Sequence, residues 1–253
     1  MAALQNFGGV SSKSWEKREK DEEGRDRETL MDVFCATVRE KIVLQRLIVI
    51  ARLPCYLTER TEIAAHYERL NFQINKQYIW DHMTGLLLIY PNCVLHVIES
   101  SRDVLFSVLK DLRDMQQQTT QSLLEGPKVM FMDHGAQNRL FQQWSYKVLD
   151  VDQNGKPAAV EPEEEEDGID TLVCSVLSTL QNLGRHLEIT KKALPGLLLD
   201  ESPELVVSQD VVGKLLTRHE LLDPQLYLQM YDSSLNVRLT FGHGIQSSCV
   251  TTI

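Results

Sequence analysis

Residues 83–99 read M-T-G-L-L-L-I-Y-P-N-C-V-L-H-V-I-E, two apolar runs on either side of Pro91-Asn92. Short apolar, β-branched runs parted by turn residues form a β-hairpin, because proline and asparagine favour the backbone angles of a reversal. The spacing predicts strands over 84–90 and 93–99. His96 is out of character among Val94, Leu95, Val97 and Ile98. A half-polar side chain at that place is either a ligand contact or a hydrogen-bonded histidine of the core.

Upstream, residues 42–50 (I-V-L-Q-R-L-I-V-I) form an earlier strand. Between it and the hairpin, Ile63, Tyr67, Leu70 and Ile74 recur at helical spacing, predicting a helix over 59–75 with Thr58 as N-cap. After the hairpin, Ser101 caps a second helix carrying Val104, Leu105, Val108, Leu109 and Leu112 on one face. The runs 128–132 (K-V-M-F-M) and 144–149 (W-S-Y-K-V-L) add two strands. The order βαββαββ makes the chain α/β (α+β), a ferredoxin-like split pattern with one additional strand and both helices on one sheet face.

In the first strand Ile42, Leu44, Ile48 and Ile50 alternate with Val43, Leu47 and Val49, so both faces are apolar. A sheet apolar on both sides is covered on both sides. The cover comes from the C-terminal region or from a second subunit of a homodimer. Residues 169–187 place Leu172, Val176, Leu180, Leu183 and Leu187 at helical spacing, and 209–217 and 224–231 predict further short helices. Pro195, Pro203 and Pro224 separate these helices.

Four regions follow. Residues 1–39 are a charged tail, with both signs dense over 11–28; 40–150 are the sheet domain; 151–168 are an acidic linker containing Glu163–Glu166; 169–253 are the helical extension, loose from Phe241 onward. The net charge of -10, with no basic stripe, argues against nucleic acid. The apolar runs fall short of the ~20 residues that span a bilayer, so no membrane is expected. Five scattered cysteines without a C-x-x-C pair fit a reducing, cytoplasmic setting.

Catalytic signals are absent: no G-x-S-x-G, no G-x-x-x-x-G-K-[ST] and no H-E-x-x-H occurs. His82 and His96 lack a third ligand, so no metal site is expected. His134 lies in an Asp-His-Gly turn. Leu194–Leu198 satisfies L-x-x-L-L, but Pro195 disfavours the helix such motifs need.

The strand R-L-I-V-I-A, the segment T-G-L-L-L-I-Y, the strand V-L-H-V-I-E and F-Q-Q-W-S-Y together resemble a BLUF domain, a flavin-binding blue-light sensor, over about residues 40–150. Thr84, Gly85, Leu86, Leu87 and Tyr90 match the segment that turns into the hairpin, Glu99 matches the family's acid and Trp144 its late aromatic. The resemblance implies a tyrosine, a glutamine and an asparagine on the flavin. Here Val49 stands for the tyrosine and His96 for the glutamine; Tyr78 falls at the asparagine, or Asn75 if the longer helix segment is realigned. Ser100 replaces the glycine after the acid. Valine has no phenol to oxidise or deprotonate, so no photocycle is expected.

The whole-chain arrangement is similar to a vertebrate family of testis proteins. That resemblance implies a non-enzymatic structural or interaction protein of male germ cells, in the sperm flagellum or another cilium, binding axonemal protein partners, with no cofactor. The alternative is a small-molecule, flavin-like sensor keeping a pocket lined by Val49, Tyr78, His96 and Trp144.

Overall fold

The computed structural model describes residues 43–78, 81–117, 122–150, 168–192 and 194–231. The charged tail, the acidic stretch up to residue 167 and the segment from Phe241 onward lie outside these residues.

Five strands, β1 (Gln45–Arg52), β2 (Thr84–Ile89), β3 (Cys93–Ser100), β4 (Glu125–Asp133) and β5 (Trp144–Val148), form one sheet in the order β4-β1-β3-β2-β5. All neighbours are antiparallel except β2 and β5, which run parallel. Helix α1 (Thr61–Gln77) connects β1 to β2, and α2 (Arg102–Gln117) connects β3 to β4. This is the βαββαββ order, with both helices on one face. The chain then adds α3 (Ile169–Thr190), α4 (Pro195–Glu201), a 3-10 turn (Pro203–Leu205), α5 (Gln209–Thr217) and α6 (Pro224–Tyr231).

The period-2 alternation sorts the strands between two cores. Leu47, Val49, Ala51, Leu87, Ile89, Val94 and Ile98 meet the apolar stripes of α1 and α2. Ile48, Ile50, Leu86, Leu88, Leu95 and Val97 meet α3, α4 and α5. The second face is therefore covered by the chain's own C-terminal region. Every residue of β2 and β3 is buried, which is why both strands read as continuous apolar runs. Helix α6 crosses back and packs Tyr227 and Leu228 into the α1/α2 layer. On the way, Leu222 C=O accepts the N–H of Val129, closing the outer edge of β4.

Several local readings change. The first strand starts at Gln45, three residues later than the pattern implied. Arg60, with no side-chain cap, precedes α1, so Thr58 is not its N-cap. Pro195 does not break a helix but begins one, at N1, where its missing N–H costs nothing. Thr84 and Gly85 do not form a turn; they are the first residues of β2. The reversal is Pro91-Asn92, closed by Tyr90 N–H to Cys93 C=O at 2.9 Å. Gly85 has φ of +152°, and a Cβ there would lie 2.0 Å from Val97 O, so only glycine lets β2 approach β3. Among the described residues no helix is long and apolar enough to cross a membrane.

Candidate functional site

His96 lies mid-strand in β3, with Val49 of β1 and Leu87 of β2 as its cross-strand partners. Residues directly opposite share a face, so Val49 and His96 both point under α1 and α2. Trp144, first residue of β5, donates its indole Nε1–H to His96 Nε2 at 3.0 Å. An accepting Nε2 places the imidazole proton on Nδ1. That Nδ1 is buried without a partner among the described residues. Burial, reinforced by His66, pulls the His96 pKa down to about 3, so the ring is neutral at physiological pH.

The other side of the ring is occupied. Tyr67 of α1, 1% exposed, meets His96 edge-on with ring centroids 4.3 Å apart. Its phenol is pushed up by burial and by Asp111. Asp111 of α2 is bonded to His66 Nε2 at 2.9 Å, pinning α1 to α2 above this cluster. The sequence-derived set thus separates: Val49, His96 and Trp144 come together. Tyr78, at the C-cap of α1, packs into the same apolar layer, but no ring contact or hydrogen bond among the described residues joins it to His96. Asn75 donates to Asn71 Oδ1 of its own helix at 3.1 Å. His82 and His134 are exposed, whereas His96 is buried. Tyr67 was legible only as a core position of the helical stripe; its contact with His96 depends on packing.

A second polar cluster surrounds Glu99, which is fully buried. Arg46, its cross-strand partner, donates Nε to Oε1 at 2.8 Å. The Leu140 N–H lies 2.9 and 3.0 Å from the two oxygens, and the Phe141 N–H and the Thr84 hydroxyl donate to Oε2 at 3.1 and 3.3 Å. Arg139 donates Nη1 to Thr84 Oγ1 and to Glu99 C=O. Asp81 closes the series, accepting from the Ser100 hydroxyl at 2.8 Å and from the Ser101 N–H. With every carboxylate lone pair in use, Glu99 anchors the β4–β5 loop to the sheet. The available signal was Arg46 itself, a charge inside an apolar strand.

The family model for Testis-expressed protein 47 matches residues 43–233. This chain belongs to the Testis-expressed protein 47 family. Solved structures of bacterial photoreceptors also match. The BlrP1 BLUF domain is 16% identical over 44% of this chain and 67% of its own, with a TM-score of 0.34. Klebsiella pneumoniae BlrP1 in a calcium and cyclic-di-GMP complex is 18% identical over 43% of this chain, with a TM-score of 0.33. That match spans only 24% of the Klebsiella chain. A bacterial light-regulated adenylyl cyclase is 18% identical over 58% of this chain and 36% of its own, with a TM-score of 0.34. At such scores the ferredoxin-like assignment rests on the strand order observed directly in the family member.

The described residues do not supply the partners of a flavin photocycle. Val49 supplies no phenol, and ring contact at 4.3 Å between Tyr67 and His96 leaves no room for a planar group between them. The Trp144 indole N–H is already bonded to His96. Among the described residues, no group of three metal-ligating side chains converges.

Proposed function

We propose that this chain is a non-enzymatic interaction scaffold of male germ cells, working in the cytoplasm of the sperm flagellum as a component bound to axonemal proteins. Family membership supports the germ-cell setting, and the flagellar placement extends the whole-chain resemblance. One observation carries the scaffold reading. His96, where the resemblance places a flavin contact, is held instead between Tyr67 and Trp144 of the chain itself. Function then falls to surfaces, and several large apolar side chains are offered there, including Phe72, Leu197 and Met230. Co-purification from testis extract, with imaging of the tagged chain in sperm, tests this. Recovery of the chain without a partner and without flagellar signal would sink it.

A small-molecule sensor is the second reading, favoured by the partnerless buried Nδ1 of His96. A ligand acceptor at that nitrogen would complete the ring's hydrogen bonding. Native mass spectrometry of the purified chain separates the two readings: a stoichiometric small-molecule adduct supports the sensor, and the bare mass supports the scaffold.

A further inference from the structure

Helix α3 lies against the β4–β5 loop, and the seam between them opens into a cleft of about 530 Å³. Gly184 sets the approach, since a Cβ there would lie 2.9 Å from Leu140 Cδ2. Beyond that contact the walls are polar. Arg139, Arg185 and Lys192 line the cleft against one carboxylate, Glu188. On a chain of net charge -10, this is a local reversal of sign, and a cleft of one sign concentrates counter-charged ligands.

The three cations line one cleft. Arg139 is fixed from behind by its bonds to Thr84 and to Glu99 C=O, with a long pair to Asp81 at 4.0 Å. Arg185 donates to Asn182 Oδ1, a neutral partner. Lys192 pairs with Glu201, whose side chain is 64% exposed; such surface pairs are weak and exchange readily. At the end of α3 the N–H groups of Lys191 and Lys192 cap the carbonyls of Glu188 and Leu187, which leaves fewer bare carbonyls to oppose an anion.

The lining also has a length and a second chemistry. Within α3 the lining runs from Gln181 to Glu188, about 10 Å at ~1.5 Å per residue, the reach of about three extended residues. Asn138, Gln142 and Gln181 complete the polar wall. Side-chain amides donate and accept at once, which matches a peptide backbone, whereas guanidinium and ammonium groups match carboxylates. We propose that this cleft is the docking site for an extended acidic peptide of a protein partner. The inference rests on the scaffold reading and supplies its partner chemistry.

Fluorescence anisotropy on the full chain tests it, with fluorescein-labelled pentaglutamate and pentaglutamine as probes at about 50 mM salt, where screening is modest. Pentaglutamate binds and pentaglutamine does not. The double variant Arg185→Glu/Lys192→Glu loses at least tenfold in affinity, and Arg185→Gln/Lys192→Gln falls between, both keeping the native circular dichroism. Pentaglutamate that ignores the unsubstituted chain, or binds both variants equally well, overturns the proposal. A parallel pull-down from testis extract separates this failure from that of the scaffold reading. Partners retained equally by the charge-reversed variant remove the cleft and leave the scaffold standing; partners lost with it support the cleft. No partner on either protein removes both.

Discussion

His96 gives a measurable pH signature. Its imidazole titrates near 3 when folded, pulled down by burial and by His66, against an ordinary value of about 6.5 in an unfolded chain. The unfolded chain therefore takes up the proton first. The stability owed to a neutral His96 is complete above about pH 6.5 and is lost as pH falls toward 3. Between pH 7 and pH 5 the loss from this one group is about 2 kcal/mol, and any folded value below about 4 gives the same figure over that interval. Urea unfolding followed by tryptophan fluorescence, at both pH values, measures it in the unsubstituted chain and in His96→Gln. The variant can still accept the Trp144 indole proton, and titrations elsewhere cancel to first order between the two proteins. The variant should lose about 2 kcal/mol less stability than the parent on going from pH 7 to pH 5. Equal losses within about 0.5 kcal/mol would mean that the imidazole is already solvated or paired in the folded chain, and that its burial beneath α1 is wrong.

Glu99→Gln removes the charge opposite Arg46 and turns an amide toward donors that need an acceptor. Breaking one side of a buried pair costs about 3–5 kcal/mol, and a lowered urea midpoint with an unchanged slope would report it. Gly85→Ala drives a Cβ to 2.0 Å from Val97 O, so a loss of about 4 kcal/mol or more is expected, read as absence of folded protein on gel filtration. Lys191 adopts φ of 52° past the end of α3, and Lys191→Gly should raise stability by about 0.5–1 kcal/mol, measured as a higher Tm.

The fold was legible where burial wrote a period into the sequence. The hairpin, the α1 stripe from Ile63 to Ile74 and the two-sided apolarity of β1 each report a local geometry that packing then enforces. The α5 and α6 ranges were readable for the same reason. Helix α4 was not, because Pro195 carries two meanings, a break inside a helix and a good first residue, and only context chooses. For the candidate site, one sequence yields residue types but not distances. Val49 and His96 were placed together by strand pairing. The Tyr67 ring that fills the space beside His96 depends on how α1 settles on the sheet, and no spacing rule encodes that. Arg139 and Asp81 were invisible for a different reason. They sit in irregular segments, where charged residues are common and only the buried Glu99 gives them a purpose.

The return of α6 to the α1/α2 layer has a consequence for how the protein is made. The layer that buries Ile48 of β1 is completed by Leu215 and Leu216 of α5, and the opposite layer waits for Tyr227 and Leu228. The central strands therefore leave the ribosome well before their coverings do. At about 5–20 residues per second, the interval from β1 to the end of α6 is roughly ten to forty seconds. For that time a nascent sheet with two sticky faces is exposed in a crowded cell, and slow non-local pairing is what chaperones guard. Premature termination before Tyr227 would leave an exposed apolar layer, not a smaller working module.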